Sequence, residues 1–138
     1  QEENMLIRTD TMPWQIDQRL INLLQHEINS AGINGNSGAV LNFRDPEYDH
    51  VTGGYHPVEV SVSADGSIQY ITDFALYGCP PHVELCKEID FDFSLRTLQH
   101  MSREYPIHQG RDLYDLWEAN CISYYEMNAY RVDVAAGG

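Results

Sequence analysis

The sequence predicts an α+β domain, a curved antiparallel sheet with an N-terminal and a C-terminal helix packed on it. Three observations lead there. Two amphipathic segments of helical period lie near the ends of the chain, at residues 13–31 and 111–127. Between them the apolar residues alternate with polar ones in short runs. The runs follow one another through turns without regular strand–helix alternation, the mark of an antiparallel sheet rather than a wound parallel one.

In the first helix Ile16, Leu20, Leu23, Leu24 and Ile28 recur at helical spacing, with Asp17 near the start and Gly32 past the end. Gly35, Asn36 and Gly38 form a loop, and residues 39–43 a short strand. Val58, Val60 and Val62 alternate with Glu59 and Ser61 in a second strand. Ala64, Asp65 and Gly66 turn the chain into a third strand starting at Ile68, a hairpin pairing. Gly78, Cys79, Pro80 and Pro81 break the pattern, since two prolines do not fit inside a central strand.

Residues 83–93 then place Leu85, Ile89, Phe91 and Phe93 on one face and Glu84, Glu88, Asp90 and Asp92 on the other, a strand buried on one side. Leu95, Leu98 and Met101 suggest a short helical turn before Pro106. In the second helix Leu113, Leu116, Trp117, Cys121, Tyr124 and Met127 form the buried stripe, and Asp112 and Asp115 suit its N-terminal dipole. Trp117, Tyr124 and Tyr130 are expected to pack this helix on the sheet. Tyr125 lies off the stripe and suits a subunit contact. A last strand covers 129–134. One domain spans 5–134, with 1–4 and 135–138 as unstructured ends.

The 138 residues carry 21 acidic and 8 basic side chains, a net charge of -13. Such a surface repels nucleic-acid phosphates and anionic membranes and attracts basic partners or cations. No apolar run reaches the roughly 20 residues of a membrane helix, and no signal-peptide layout opens the chain. The expectation is a soluble, cytoplasmic protein. Three unpaired cysteines, Cys79, Cys86 and Cys121, fit a reducing compartment.

Three groups of residues invite a chemical reading. The segment 42–60 concentrates Asp45, Glu47, Asp49, His50, His56 and Glu59. As a calcium loop it fails, because His50 stands where glycine belongs and His56 where a bidentate glutamate belongs. Asp45, Asp49, His50 and His56 remain weak metal candidates, without any high-specificity zinc spacing. Structurally, Asp45-Pro46 starts a turn and Gly53-Gly54 frees the backbone before the next strand. Cys79, His82, Glu84 and Cys86 match neither a zinc nor a redox motif. Asp90 and Asp92 share a strand face compatible with paired-carboxylate chemistry, although a solvated face accounts for them. Nucleophile-elbow and phosphate-loop motifs are absent, so no catalytic residue and no cofactor are assigned.

Particular strings are familiar: NFRDP at 42–46, GYHPVE at 54–59, YITDF at 70–74, EIDFDF at 88–93, REYP at 103–106 and LWEAN at 116–120. Together, from about Met5 to Val134, they resemble an uncharacterised gamma-proteobacterial family, the domain of unknown function numbered twenty-seven eighty-seven. Genes of that family occur on mobile or pathogenicity-associated elements. The resemblance implies a fold like that of the mitochondrial acidic matrix proteins, an acidic surface and self-association, and it brings no catalytic residues.

The leading expectation is a non-catalytic, acidic, self-associating binding or adaptor protein. Glu84, Glu88, Asp90 and Asp92 form its face for a basic partner. A homodimer is favoured over a trimer because symmetric dimers are the commonest assembly. Two alternatives stand beside it: a small metal-dependent enzyme or hydrolase using the 45–56 loop, and a DNA mimic whose carboxylates imitate phosphates.

Overall fold

A computed structural model describes residues 5–33 and 37–137. Residues 1–4 and 138 of the expected ends, and Gly35 and Asn36 of the expected loop, lie outside the described residues. Helix α1 (Gln18–Ser30) starts where Asp17 caps it, the carboxylate accepting the Arg19 N–H at 2.8 Å. The helix is shorter than the segment 13–31. Trp14 and Ile16 enter the core from extended chain instead, both buried. Leu20, Leu23, Leu24 and Ile28 form the buried stripe.

Seven antiparallel strands form one sheet: β1 (Ala39–Arg44), β2 (Val58–Val62), β3 (Ile68–Cys79), β4 (His82–Asp92), β5 (Thr97–His100), β6 (Arg103–Pro106) and β7 (Arg131–Ala136). Their spatial order is β6-β5-β4-β3-β2-β1-β7. The first six strands are a meander, and helix α2 (Arg111–Glu126), entered through a 3-10 turn (Ile107–Gly110), carries the chain back so that β7 pairs with β1. Val58, Val60 and Val62 face the helices with Leu41, Phe43, Ile71 and Phe91, all buried. Among the described residues, no helix is long and apolar enough to cross a membrane.

Four expectations need correction. The turn expected at Leu95 to Met101 is the β5–β6 hairpin, whose bend has Met101 and Ser102 at φ of 52° and 68°. Three apolar residues at helical spacing also fit a strand followed by a tight turn. Ala135 and Ala136, expected to be frayed, pair with Val40 and Ala39. On α2 the buried stripe runs through Tyr114, Trp117, Glu118, Cys121 and Ile122, while Leu116 and Met127 are 62% and 57% exposed. Tyr114 anchors it, with its ring 5.3 Å from Phe91 and 5.2 Å from Trp14. Tyr125 packs on Phe43 at 6.3 Å and donates its hydroxyl to Glu27, so it joins α2 to the sheet and to α1.

The fourth correction concerns β4. Asp73 opposes Ile89 but the next residue, Phe74, opposes Lys87, so Glu88 is an extra residue, a β-bulge. A bulge reverses the in–out alternation beyond it. Leu85, expected in the core, is 50% exposed, and Glu88 turns to the helix side of the sheet. Asp90 and Asp92 stay on the opposite face with Glu59, Tyr70, Thr72 and Phe74. Glu84, exposed beyond the bulge and paired with Tyr77, lies on the side of Glu88, so the four acids expected on one face are divided between two. Past the bulge β3 and β4 pair only with each other, reaching a turn at Cys79 and His82 that contains a cis Pro80–Pro81 bond.

Candidate functional site

The bulge makes a cavity of about 270 Å³ between α2 and the sheet. His56, just before β2, shares the helix-facing side with Val58. Asp73 shares that side with Ile71, and Glu88 reaches it through the bulge. Trp117, Cys121 and Tyr124 from α2, with Tyr55 and Tyr130, form much of the wall. Tyr55 and Tyr124 lie with ring centroids 4.2 Å apart.

His56 Nδ1 sits 2.9 Å from Asp73 Oδ1 and 3.1 Å from Glu88 Oε2. Glu88 Oε1 accepts the Tyr77 hydroxyl at 3.0 Å. The Tyr48 ring lies 5.4 Å from the imidazole, fixed by the Leu76 N–H donating to its hydroxyl at 2.9 Å. The Asp73 side chain is only 13% exposed, against 36% for His56 and 25% for Glu88. The hydrogen bond to Asp73 is the chief cause that raises the His56 pKa above its ordinary value. Burial raises the Asp73 carboxyl, with His56 opposing the shift. The cavity thus holds a proton tightly in a partly desolvated, acidic place.

The sign of the pH effect follows. A raised histidine stabilises the fold fully below its ordinary value of 6.5, and that contribution is lost as pH rises through the folded value. The raised Asp73 carboxyl has the same sign, its contribution being lost from 3.8 upward. Melting temperature is expected to fall as pH is raised from about 6 to about 8. His56→Gln flattens that slope in a thermal melt series; an unchanged slope removes His56 as the titrating group.

Of the loop candidates, His56 alone lines the cavity. Asp45 braces its own loop, accepting the Glu47 N–H at 2.9 Å and the Tyr55 N–H at 3.0 Å. Asp49 accepts the Val51 N–H at 2.7 Å, and His50 is exposed. Glu59 accepts the Tyr70 hydroxyl on the opposite sheet face. Asp90 takes the Thr72 hydroxyl at 2.9 Å and Asp92 the Ser94 hydroxyl at 2.7 Å, so these two acids are tied locally rather than aimed at one point. Cys79 and His82 face each other at the hairpin end, four residues from Cys86, and all three cysteines are free.

Sequence reasoning missed Asp73 and misplaced Glu88. For Asp73 a signal existed: it follows Ile71 by two, on the core-facing alternation, where an acid is costly unless partnered. For Glu88 none did, because the bulge appears only through pairing with β3.

The architecture is that of an acidic sheet-and-two-helix protein. The chain belongs to the family described as Protein of unknown function (DUF2787), whose model matches residues 18–135. Two solved structures are similar. The hypothetical protein VC0508 from the Vibrio cholerae VSP-II pathogenicity island is 32% identical, with a TM-score of 0.78 over 94% of this chain and 99% of its own. The conserved hypothetical protein VC1805 from Vibrio cholerae pathogenicity island VPI-2 is also 32% identical, with a TM-score of 0.74 over 87% of this chain and 94% of its own. VC1805 is described as sharing structural homology with the human P32 protein, a mitochondrial acidic matrix protein, which agrees with the fold expected from the sequence. No curated protein matches.

Proposed function

We propose that this chain is a non-catalytic acidic binding protein that recognises positive charge, with its surface carboxylates attracting a basic protein and its cavity receiving a cation. The observation that carries the reading is the placement of Asp73 and Glu88 around His56 in a cavity walled by aromatic rings. Two carboxylates against one imidazole leave net negative charge there whether or not the imidazole is protonated. Tyrosine and tryptophan faces add attraction for cations.

Binding of a lysine-rich peptide is expected to weaken steeply with added salt, since exposed charges are screened. Replacing Glu84, Asp90 and Asp92 together with their amides is expected to weaken it further, measured by fluorescence anisotropy. Salt-independent binding, or binding unchanged in that variant, rejects the surface part of the reading. The cavity part is tested with arginine amide, whose binding is expected to weaken in Glu88→Gln.

Self-association belongs to the same reading. Leu116, at the mouth of the cavity, and Met127 leave apolar surface exposed on α2, and carboxylates suit the rim of an interface better than its centre. Light scattering coupled to size exclusion at moderate salt is expected to give a dimer mass; a monomer at micromolar concentration overturns it.

A further inference from the structure

Resting on the reading that the cavity selects positive charge, we infer that His56, Asp73 and Glu88 form a binding site for one divalent first-row transition-metal ion. The three side chains come from the segment before β2, from β3 and from the β4 bulge, and their donor atoms all lie within 4.8 Å of one another.

The spacing discriminates between kinds of cation. Donor atoms 2.9 and 3.1 Å apart subtend angles near ~90° at an ion placed ~2.1 Å from each, the adjacent-ligand angle of an octahedral ion. An ammonium nitrogen sits ~2.8 Å from each acceptor, and the same pairs then subtend only ~60–70°. Its N–H bonds spread much wider than that. A metal ion uses both spacings, while an ammonium serves at most part of the set.

The donor types narrow the choice. One imidazole with two carboxylates suits ions between the hard oxygen-seeking and the soft sulfur-seeking classes, such as Mn²⁺, whose octahedral preference matches these angles, or Zn²⁺ with its carboxylates spread wider, over Ca²⁺. Two neighbours steady these donors, the Tyr77 hydroxyl on Glu88 Oε1 and the Tyr48 ring beside His56. Remaining coordination positions open on the cavity, where water or a ligand atom completes the sphere.

A proton competes for the same place. With His56 protonated, the 2.9 and 3.1 Å contacts are ordinary charge-assisted hydrogen bonds. The titratable groups around the imidazole are Asp73 from β3, Glu88 from β4 with Tyr77 behind it, Tyr48 and Tyr55 from the loop, Cys121 and Tyr124 across the cavity on α2, and Tyr130 before β7. Metal uptake therefore displaces the imidazole proton and weakens as pH falls.

The test is calorimetric titration of the full chain, stripped with a chelator, using zinc chloride, manganese chloride, calcium chloride and arginine amide as separate probes. One Zn²⁺ or Mn²⁺ per chain is expected, bound at least about 10-fold more tightly than Ca²⁺ and more weakly at lower pH. His56→Ala and Glu88→Gln each lower the affinity by about 10- to 100-fold or more, with folding checked by circular dichroism. His50→Ala leaves it unchanged. Metal uptake indifferent to both site variants overturns the assignment. Arginine amide binding without metal uptake overturns it too and leaves the cation-selecting cavity standing; no binding of any probe removes both.

Discussion

Phe91→Ala is expected to lower the stability of the protein by about 3–5 kcal/mol, the range for truncating a fully buried aromatic ring. Phe91 is completely buried near the end of β4, paired with Ile71, which is also completely buried. Its ring meets Tyr114 edge-on at 5.3 Å and lies 6.1 Å from Trp117, so one side chain joins the sheet to both anchors of α2. The surrounding strands are hydrogen-bonded on both sides and do not collapse into the gap. Against a domain stability of roughly 5–15 kcal/mol, the variant is marginal at body temperature. Urea unfolding measures it, with Leu95→Ala, at an exposed position, as the control within about 0.5 kcal/mol. A loss below about 1 kcal/mol for Phe91→Ala rejects this account of the core.

Gly54→Ala is expected to damage both fold and cavity. Gly54 has φ +132°, and a Cβ there meets Asp45 Oδ2 at 2.8 Å and the Tyr48 Cα at 2.9 Å. The backbone strain costs about 1–3 kcal/mol. The larger effect is on the loop, because Asp45 must give up the Tyr55 N–H and Tyr48 must leave its place beside His56. The neighbouring Gly53→Ala is the informative contrast: φ is +81° but nothing lies within 4 Å, so the cost stays near ~1–2 kcal/mol of backbone strain. Histidine NMR titration reads the difference. In Gly54→Ala the His56 pKa is expected to move back toward 6.5, while in Gly53→Ala it stays raised. Equal behaviour of the two variants rejects the loop's role in holding the site.

The parts of the fold legible in the sequence are those governed by local periodicity. The valines of β2 and the spacing of Leu20, Leu23, Leu24 and Ile28 each specify an element and its buried face with no reference to the rest of the chain. What escaped depends on partners distant in sequence. The rotation of α2 that exposes Leu116 and buries Tyr114 is set by the Trp14, Phe91 and Phe93 rings, which no helical pattern encodes. Alternation along residues 83–93 is regular on paper, yet it is read correctly only from Ile89 onward. The site suffered most, since a metal or cation site is an intersection of strands: His56 was visible as a ligand type, and its two companions stand 17 and 32 positions further on.

The paired ends of β3 and β4 beyond the bulge have a mechanical consequence. From Ala75 to Cys86 they form a ribbon bordered by neither β2 nor β5, tied to the rest of the fold through the Leu76 N–H on the Tyr48 hydroxyl, with exposed residues at its tip. A two-stranded ribbon without a third strand is only marginally stable in water. Its amide hydrogens should exchange faster than those of Ile71 and Phe91, which lie in the continuous sheet. Glu88 stands at the root of this lever, whereas Asp73 belongs to the last rung that β2 holds. The Glu88 carbonyl is held by the Met101 N–H, so flexing of the ribbon reaches the cavity through the Tyr77 hydroxyl on the Glu88 carboxylate, and anything gripping the distant tip at Cys79 and His82 acquires leverage on that contact.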